Sequence, residues 1–403
     1  MKFINHATQS VALAITLIST TQVLAQEQQT HKLDTVYGFE MKVDLPATSV
    51  KDQYKSGTCW SFSGLSFIES ELLRTGKGEY DLSEMFIVNR DYHVRAVDYI
   101  RWNGAKSFSS GSECGNVFNR IKDFGIVPQS VYAGLNYGTD KHQNRELDAS
   151  LTGYIQAINA NTNGVLTTAW LKGFDGILEA FLGEIPESFE YNGKKYTPIE
   201  FRNSLGLNFD DYVELTSFTH HPFYCSFILE VQDNWELDPA YNVTLDDLTT
   251  IAFNSLDKGY TVLWGGDVSE NGFSWNKGLA IIPNNDIESE KGTDKDNFKQ
   301  SNGSDDPVLF EDMVPEMTIT PEMRQLAFDN RETTDDHGMH ITGYLTDKNG
   351  TRYFKVKNSW NTNNPYDGYL YMSENFFKYK TISIFVHKNA IPDDIKKKLG
   401  ISK

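Results

Sequence analysis

A change of hydrophobic period partway along the chain constrains its fold more than any other feature. From Cys59 onward, Trp60, Leu65, Ile68, Leu72 and Leu73 recur at three- and four-residue steps, the spacing of a helix with one buried face. Gly76 and Gly78 close that pattern. Further helical sequence runs from Ser83, a plausible N-cap, to Ile100, and from Cys114 to Phe124, where Gly125 and Pro128 stop it. After Thr261 the character turns to strands. Thr261–Trp264, Leu279–Ile282, Met339–Leu345, Tyr353–Val356 running to Trp360, Tyr369–Met372 and Ile382–Val386 are β-rich or alternating. Asp347-Lys348-Asn349-Gly350 between two of them is a hairpin signal. Helices early and strands late predict an α+β protein of two facing lobes, its sheet antiparallel or closed into a small barrel.

The regions between are less regular. Leu33 to Leu45 reads as a short extended stretch, and about 140–260 as mixed helix and irregular chain, with Thr197-Pro198 opening a helix. Asn284–Pro307 is polar and acidic, an exposed loop by composition. Lys396-Lys397-Lys398 reads as a solvated helix end near the C-terminus. Residues 1–25 have the layout of a secretory signal: Lys2, an apolar run from Val11 to Ile18, and Val23-Leu24-Ala25 before Gln26. That run is too short to span a bilayer, so a mature chain outside the cytoplasm is expected, periplasmic or secreted, with no membrane span.

Composition narrows the function classes. With 403 residues, 39% hydrophobic, the chain can bury a large core. A net charge of -18, spread along the sequence, repels phosphate backbones and argues against a nucleic-acid partner. Three cysteines, Cys59, Cys114 and Cys225, are an odd count for an exported protein, so either one thiol is reactive or all three are small buried groups. Cys59 follows the polar loop Asp52–Thr58 and opens a helix, where unpaired N–H groups favour a thiolate. Cys225 lies in the apolar run Tyr224–Leu229, where an inert buried thiol is expected; a Cys114–Cys225 disulfide would need a distance that sequence does not supply. His337 and His340 could suggest a metal pair, but three-residue spacing on a strand puts them on opposite faces and no ligand cluster supports one. His220-His221-Pro222 reads as a structural turn or a pocket wall. No metal and no cofactor are expected.

Four segments then carry a resemblance. Gln53-Tyr54-Lys55-Ser56-Gly57-Thr58-Cys59-Trp60-Ser61-Phe62 resembles the nucleophile segment of papain-like cysteine peptidases, and Leu82-Ser83-Glu84-Met85 is similar to a further segment of that family. Gly338-Met339-His340-Ile341-Thr342-Gly343-Tyr344 and Lys357-Asn358-Ser359-Trp360 follow in the family's order. The resemblance implies the papain-like two-lobe fold: a helical lobe at about 51–135, an insertion at about 136–260, a β lobe at about 261–390 and a tail at 391–403. It also implies Cys59 as nucleophile, His340 as base, Asn358 as orienting residue and Gln53 as oxyanion donor, with Trp360 over the Asn–His bond. Gly111-Ser112 takes the place of the family's paired glycines beside the substrate backbone.

Cys59 and His340 stand much further apart in the chain than a compact papain-like enzyme needs. Together with Phe124-Gly125-Ile126-Val127-Pro128 and Trp264-Gly265-Gly266-Asp267-Val268, that length is similar to bleomycin hydrolase and aminopeptidase C. What this implies is a broad-specificity aminopeptidase acting on peptides through a thioester acyl-enzyme, hexameric, with the chain's own C-terminus in the cleft. Those relatives are usually cytosolic, whereas this chain carries an export signal. An endopeptidase or acyl transferase on the same residues, or a non-catalytic peptide-binding protein with the same fold, are the alternatives.

Overall fold

The computed structural model describes residues 32–284 and 310–401. The signal segment, all but the first residue of the acidic loop, and the last two residues lie outside these. Ten strands form a continuous sheet, with Glu40–Asp44 added beside His337–Thr346 as an eleventh. Its centre is Val262–Gly266, His337–Thr346, Arg352–Lys357 and Tyr369–Ser373, each antiparallel to the next. Thr381–His387 continues it on the other side of Val262–Gly266 and pairs with Tyr212–Thr216. The sheet is open rather than closed into a barrel. Its alternation has a simple reading: Met339, Ile341, Phe354, Val356, Trp264 and Ile384 fill one core with the helix Leu245–Asp257.

A second core belongs to the helical lobe, where Leu65, Ile68 and Leu72 of the helix Cys59–Arg74 pack with Phe86, Val117 and Ile121. Caps fix the helix starts. Ser83 accepts from the Phe86 N–H at 3.1 Å, and Thr197 forms a reciprocal capping box with Glu200 ahead of Pro198. In the hairpin, Gly350 takes a left-handed φ of 84° while Asp347 accepts from the Asn349 and Thr351 N–H groups, both at 2.8 Å.

Two expectations change, and the helix end expected at Lys396–Lys398 is present. Leu33–Leu45 is a helix, Lys32–Tyr37, followed by the edge strand, because Leu33 and Tyr37 bury together against Tyr353. Cys225 is exposed rather than an inert core thiol, and it is not bonded to Cys114. The tail is ordered as the helix Asp393–Leu399, whose Ile395 and Leu399 are buried against the β lobe.

Candidate active site

Cys59 is the first residue of its helix, after a loop in which Tyr54 and Gly57 take left-handed φ values of 48° and 66°. Thr58 offers no side-chain cap; its carbonyl accepts from Ser61 and Phe62. Cys59 thus sits at the positive end of the helix dipole, which favours a thiolate there. Hydrogen bonds tie this loop to the segment Asn358–Trp360. The Gln53 N–H donates to the Ser359 carbonyl at 2.8 Å, Ser359 Oγ donates to Gln53 Oε1 at 2.5 Å, and Asp52 bridges Trp360. The Gln53 carboxamide is fully buried, and its Nε2 has no hydrogen-bond partner among the described residues. A buried donor without an acceptor is costly unless something arrives to use it.

The two histidines of the strand His337–Thr346 have separate surroundings. Asn358 Oδ1 lies 2.8 Å from His337 Nε2 and 2.7 Å from the Ser359 N–H. Because a backbone N–H only donates, that atom is the carboxamide oxygen, and it accepts from His337. The ring proton therefore sits on Nε2, leaving Nδ1 as the basic nitrogen. The Trp360 ring lies 4.6 Å from the His337 ring at 35°, with Trp275 edge-on behind it at 5.7 Å. Burial pushes the His337 imidazole down to about 4, and the Asn358 bond works in the opposite direction.

His340 was expected to hold this place, and the structure overturns that. Its Nδ1 is 2.9 Å from Ser66 Oγ, which also accepts from the Lys357 ammonium at 2.8 Å, and its ring meets Phe67 edge-on. Seven residues separate Ser66 from Cys59, roughly 10 Å of helix. His340 is thus about two turns behind the thiol and does not meet Asn358. The cause is the strand's alternation. Gly338 and His340 face the helix, Gly338 so closely that a Cβ there would lie 2.8 Å from both Ser63 Oγ and Cys114 Sγ. His337 stands one residue beyond Gly338, at the end where the Cys59 helix begins. The opposite-face spacing of the two histidines was legible in the sequence; the glycine after His337, which lets the helix approach there, is the signal that could have chosen between them.

Behind Ser66 lies a buried polar layer. Lys357 also reaches Thr48 at 3.2 Å, Thr48 donates to Glu69 at 2.5 Å, and Lys51 meets Glu84 at 2.5 Å and Glu69 at 3.6 Å. Burial lowers the Lys357 ammonium to about 8 and raises the Glu84 carboxyl to about 7.

The segment before the Asn116–Phe124 helix flanks the thiol, since the Trp60 indole N–H donates to the Ser110 carbonyl at 3.0 Å. Arg95 holds the Gly111 carbonyl, and the Trp235 indole N–H donates to Ser112 Oγ at 2.8 Å. A side chain at Gly111 would run into the Asp233 carboxylate, 2.4 Å from its Cβ. His220 and His221, expected in a turn, face Glu230 at 2.9 and 3.3 Å on the outer edge of the sheet.

The chain is similar to known proteins over most of its length. Residues 297–402 match the model of the Peptidase C1-like family. Aminopeptidase G of Lactobacillus delbrueckii subsp. lactis is 24% identical over 96% of this chain and 90% of its own length. Bleomycin hydrolase of Gallus gallus is 23% identical over 90% and 85%. The crystal structure of PepW from Lactobacillus rhamnosis HN001 superimposes with a TM-score of 0.66 at 20% identity, covering 90% of this chain and 84% of that one.

Proposed function

Because the chain belongs to the papain-like cysteine peptidases and is a cysteine aminopeptidase, with aminopeptidases and bleomycin hydrolase among its relatives, we propose that Cys59 is its nucleophile and His337 its base. Asn358 holds the ring and Gln53 supplies the oxyanion donor. The observation that carries this reading is the bond from His337 Nε2 to Asn358 Oδ1, which leaves Nδ1 to accept the thiol proton. The steps follow from what each group can do. His337 takes the proton from Cys59, and the thiolate attacks the first peptide carbonyl while the new charge settles on its oxygen. Gln53 Nε2, without an acceptor among the described residues, and the Cys59 backbone N–H are suited to receive that oxygen. The imidazolium then protonates the departing amine, and water attacks the thioester with His337 again acting as base. Trp360 covers the His337–Asn358 bond from solvent, and the substrate main chain passes Gly111–Ser112.

The decisive experiment compares Cys59→Ala with the parent protein on a fluorogenic aminoacyl amide and on its N-acetyl counterpart. Loss of all turnover in a folded Cys59→Ala protein is the expected result, and retained turnover would refute the thiol mechanism. Preference for the free amine separates the aminopeptidase from an endopeptidase.

Two further readings rest on the sequence. Export is proposed from the layout of residues 1–25, and a mass-spectrometric N-terminus at Met1 instead of Gln26 would refute it. A homohexamer is proposed from the likeness to bleomycin hydrolase and aminopeptidase C, and light scattering that returns a monomer would refute that. Among the described residues no helix is long and apolar enough to cross a membrane.

A further inference from the structure

An aminopeptidase must recognise a free α-amino group, and the described site so far contains nothing that binds a cation. Beside it, three carboxylates converge from three separate segments. Glu113 stands just before the Asn116–Phe124 helix, Glu214 lies on the strand Tyr212–Thr216, and Asp335 is two residues before His337. Glu214 pairs in register with Phe385, whose ring presses on Gly115, so Glu214 faces the helical lobe close to Glu113. Glu113 is followed by Cys114, whose sulfur is 3.7 Å from Ser63 Oγ and packs against Gly338, the neighbour of His337. The residue next to Glu113 therefore packs on the helix one turn from Cys59, and Asp335 precedes His337 by two residues on the same side of the site.

Acids nearby are compensated. Arg120 pairs with Asp91 at 3.3 Å and Glu236 at 2.7 Å, while the Arg95 charge acts on Asp233. Glu113 and Glu214 differ. Each is only 6% exposed, and among the described residues each has one carboxylate oxygen, Oε1, with no hydrogen-bond partner. Neither they nor Asp335 form an ion pair with a described basic side chain. Burial first, then their mutual repulsion with Asp233 and Asp238, drives the Glu113 carboxyl far above its ordinary range; burial and Asp238 raise Glu214 to about 7. Asp335 is raised the same way by burial, Asp233, Glu214 and Asp267. Ser383 gives Glu214 one hydrogen bond, yet carboxylates this buried, with oxygens unpartnered among the described residues and no basic side chain paired to them, are unfavourable unless a cation completes them.

We propose that Glu113, Glu214 and Asp335 form the subsite for the α-ammonium group of the substrate. This rests on the aminopeptidase reading and gives it a specificity determinant made of side chains. An ammonium carries one positive charge and three donors, which suits two oxygens lacking partners and a third carboxylate beside them. Its arrival displaces a proton from the acid group, so free-amine substrates bind more tightly as pH rises toward neutrality. An N-acetylated peptide brings neither charge nor the donors.

The test uses Glu113→Gln, Glu214→Gln and Asp335→Asn in the full chain, with a fluorogenic aminoacyl amide and its N-acetyl form as substrates. The expected result is a KM for the free amine raised about ten- to a hundredfold, from loss of a charge-assisted bond. N-acetyl turnover stays unchanged, and the melting temperature stays equal or rises because like charges have been removed. Calorimetry on Cys59→Ala with leucinamide and N-acetyl-leucinamide gives a readout independent of turnover: only leucinamide binds, with proton release. Unchanged KM in all three folded variants, or equal binding of both amides, would overturn the subsite while leaving the aminopeptidase intact. A parent enzyme that cleaves only blocked peptides would instead sink the underlying activity. Loss confined to blocked peptides with an internal Lys or Arg would reassign the acids to a basic side chain.

Discussion

His337 and His340 share a strand, are both buried, and are both hydrogen-bonded, yet their partners give them opposite prospects. His337 is held by a carboxamide whose oxygen fixes its proton on Nε2, at the end of the sheet where the Cys59 helix begins. His340 is tied to Ser66 two helical turns away, with a lysine ammonium on the same hydroxyl. Burial is the first cause that lowers the proton affinity of both. Burial and a suggestive neighbourhood in sequence do not make a base; the partner on the second nitrogen does, because it decides which nitrogen is left to work.

The largest effect should come from separating the two. His337→Ala is expected to lower kcat/KM at least about a thousandfold, as removal of a member of a catalytic unit does. His340→Ala, which touches neither the thiol nor Asn358, is expected to cost less than about tenfold, through packing alone. Steady-state kinetics on an aminoacyl amide decide it. If His340→Ala matched His337→Ala, the comparison would fail.

Next in size is the oxyanion donor. Gln53→Ala should cost about 10²–10³ in kcat with little change in KM, since the unpartnered Nε2 is used only once charge develops. Ser359→Ala removes the hydroxyl that aims the Gln53 carboxamide from 2.5 Å, and should reproduce a fraction of that loss. A Gln53→Ala effect appearing in KM instead of kcat would mean that Gln53 binds ground-state substrate.

Much of this was legible before any coordinates. The helix opening at Cys59, the Ser83 cap, the Asn-Gly hairpin and four central strands each rest on local chemistry that the chain states in consecutive residues. The choice between His337 and His340 does not. It depends on which strand face meets the helix, and that is decided by Gly338 packing against Ser63 and Cys114, a contact between distant segments. The same holds for Lys32–Tyr37, a helix only because Leu33 and Tyr37 bury against Tyr353. Cys225 shows the converse: an apolar neighbourhood in sequence that the fold leaves exposed. The acid group beside Cys114 was invisible for the same reason, being assembled from residues more than a hundred positions apart.

A smaller effect tests the inert histidine itself. Ser66→Ala would take from Lys357 one of its two hydroxyl acceptors and from His340 its one side-chain hydrogen bond among the described residues, costing about 1–3 kcal/mol in denaturant melts.

The smallest effect concerns pH. Burial, with the Lys357 charge second, holds His340 well below its ordinary 6.5 in the folded protein. In the unfolded chain the ring titrates near that ordinary value. Below about 6.5 the unfolded state therefore binds a proton that the folded state refuses, so His340 contributes stability above that pH and loses it as pH falls toward the depressed folded value. The slope is at most about 1.4 kcal/mol per pH unit for one group. His340→Gln removes that group, so its deficit in melting temperature against the parent should be greatest at pH 7.5 and shrink at pH 6 and 5. Parallel curves would mean that His340 takes up its proton equally in both states, and the buried, neutral ring behind the site would have to be abandoned.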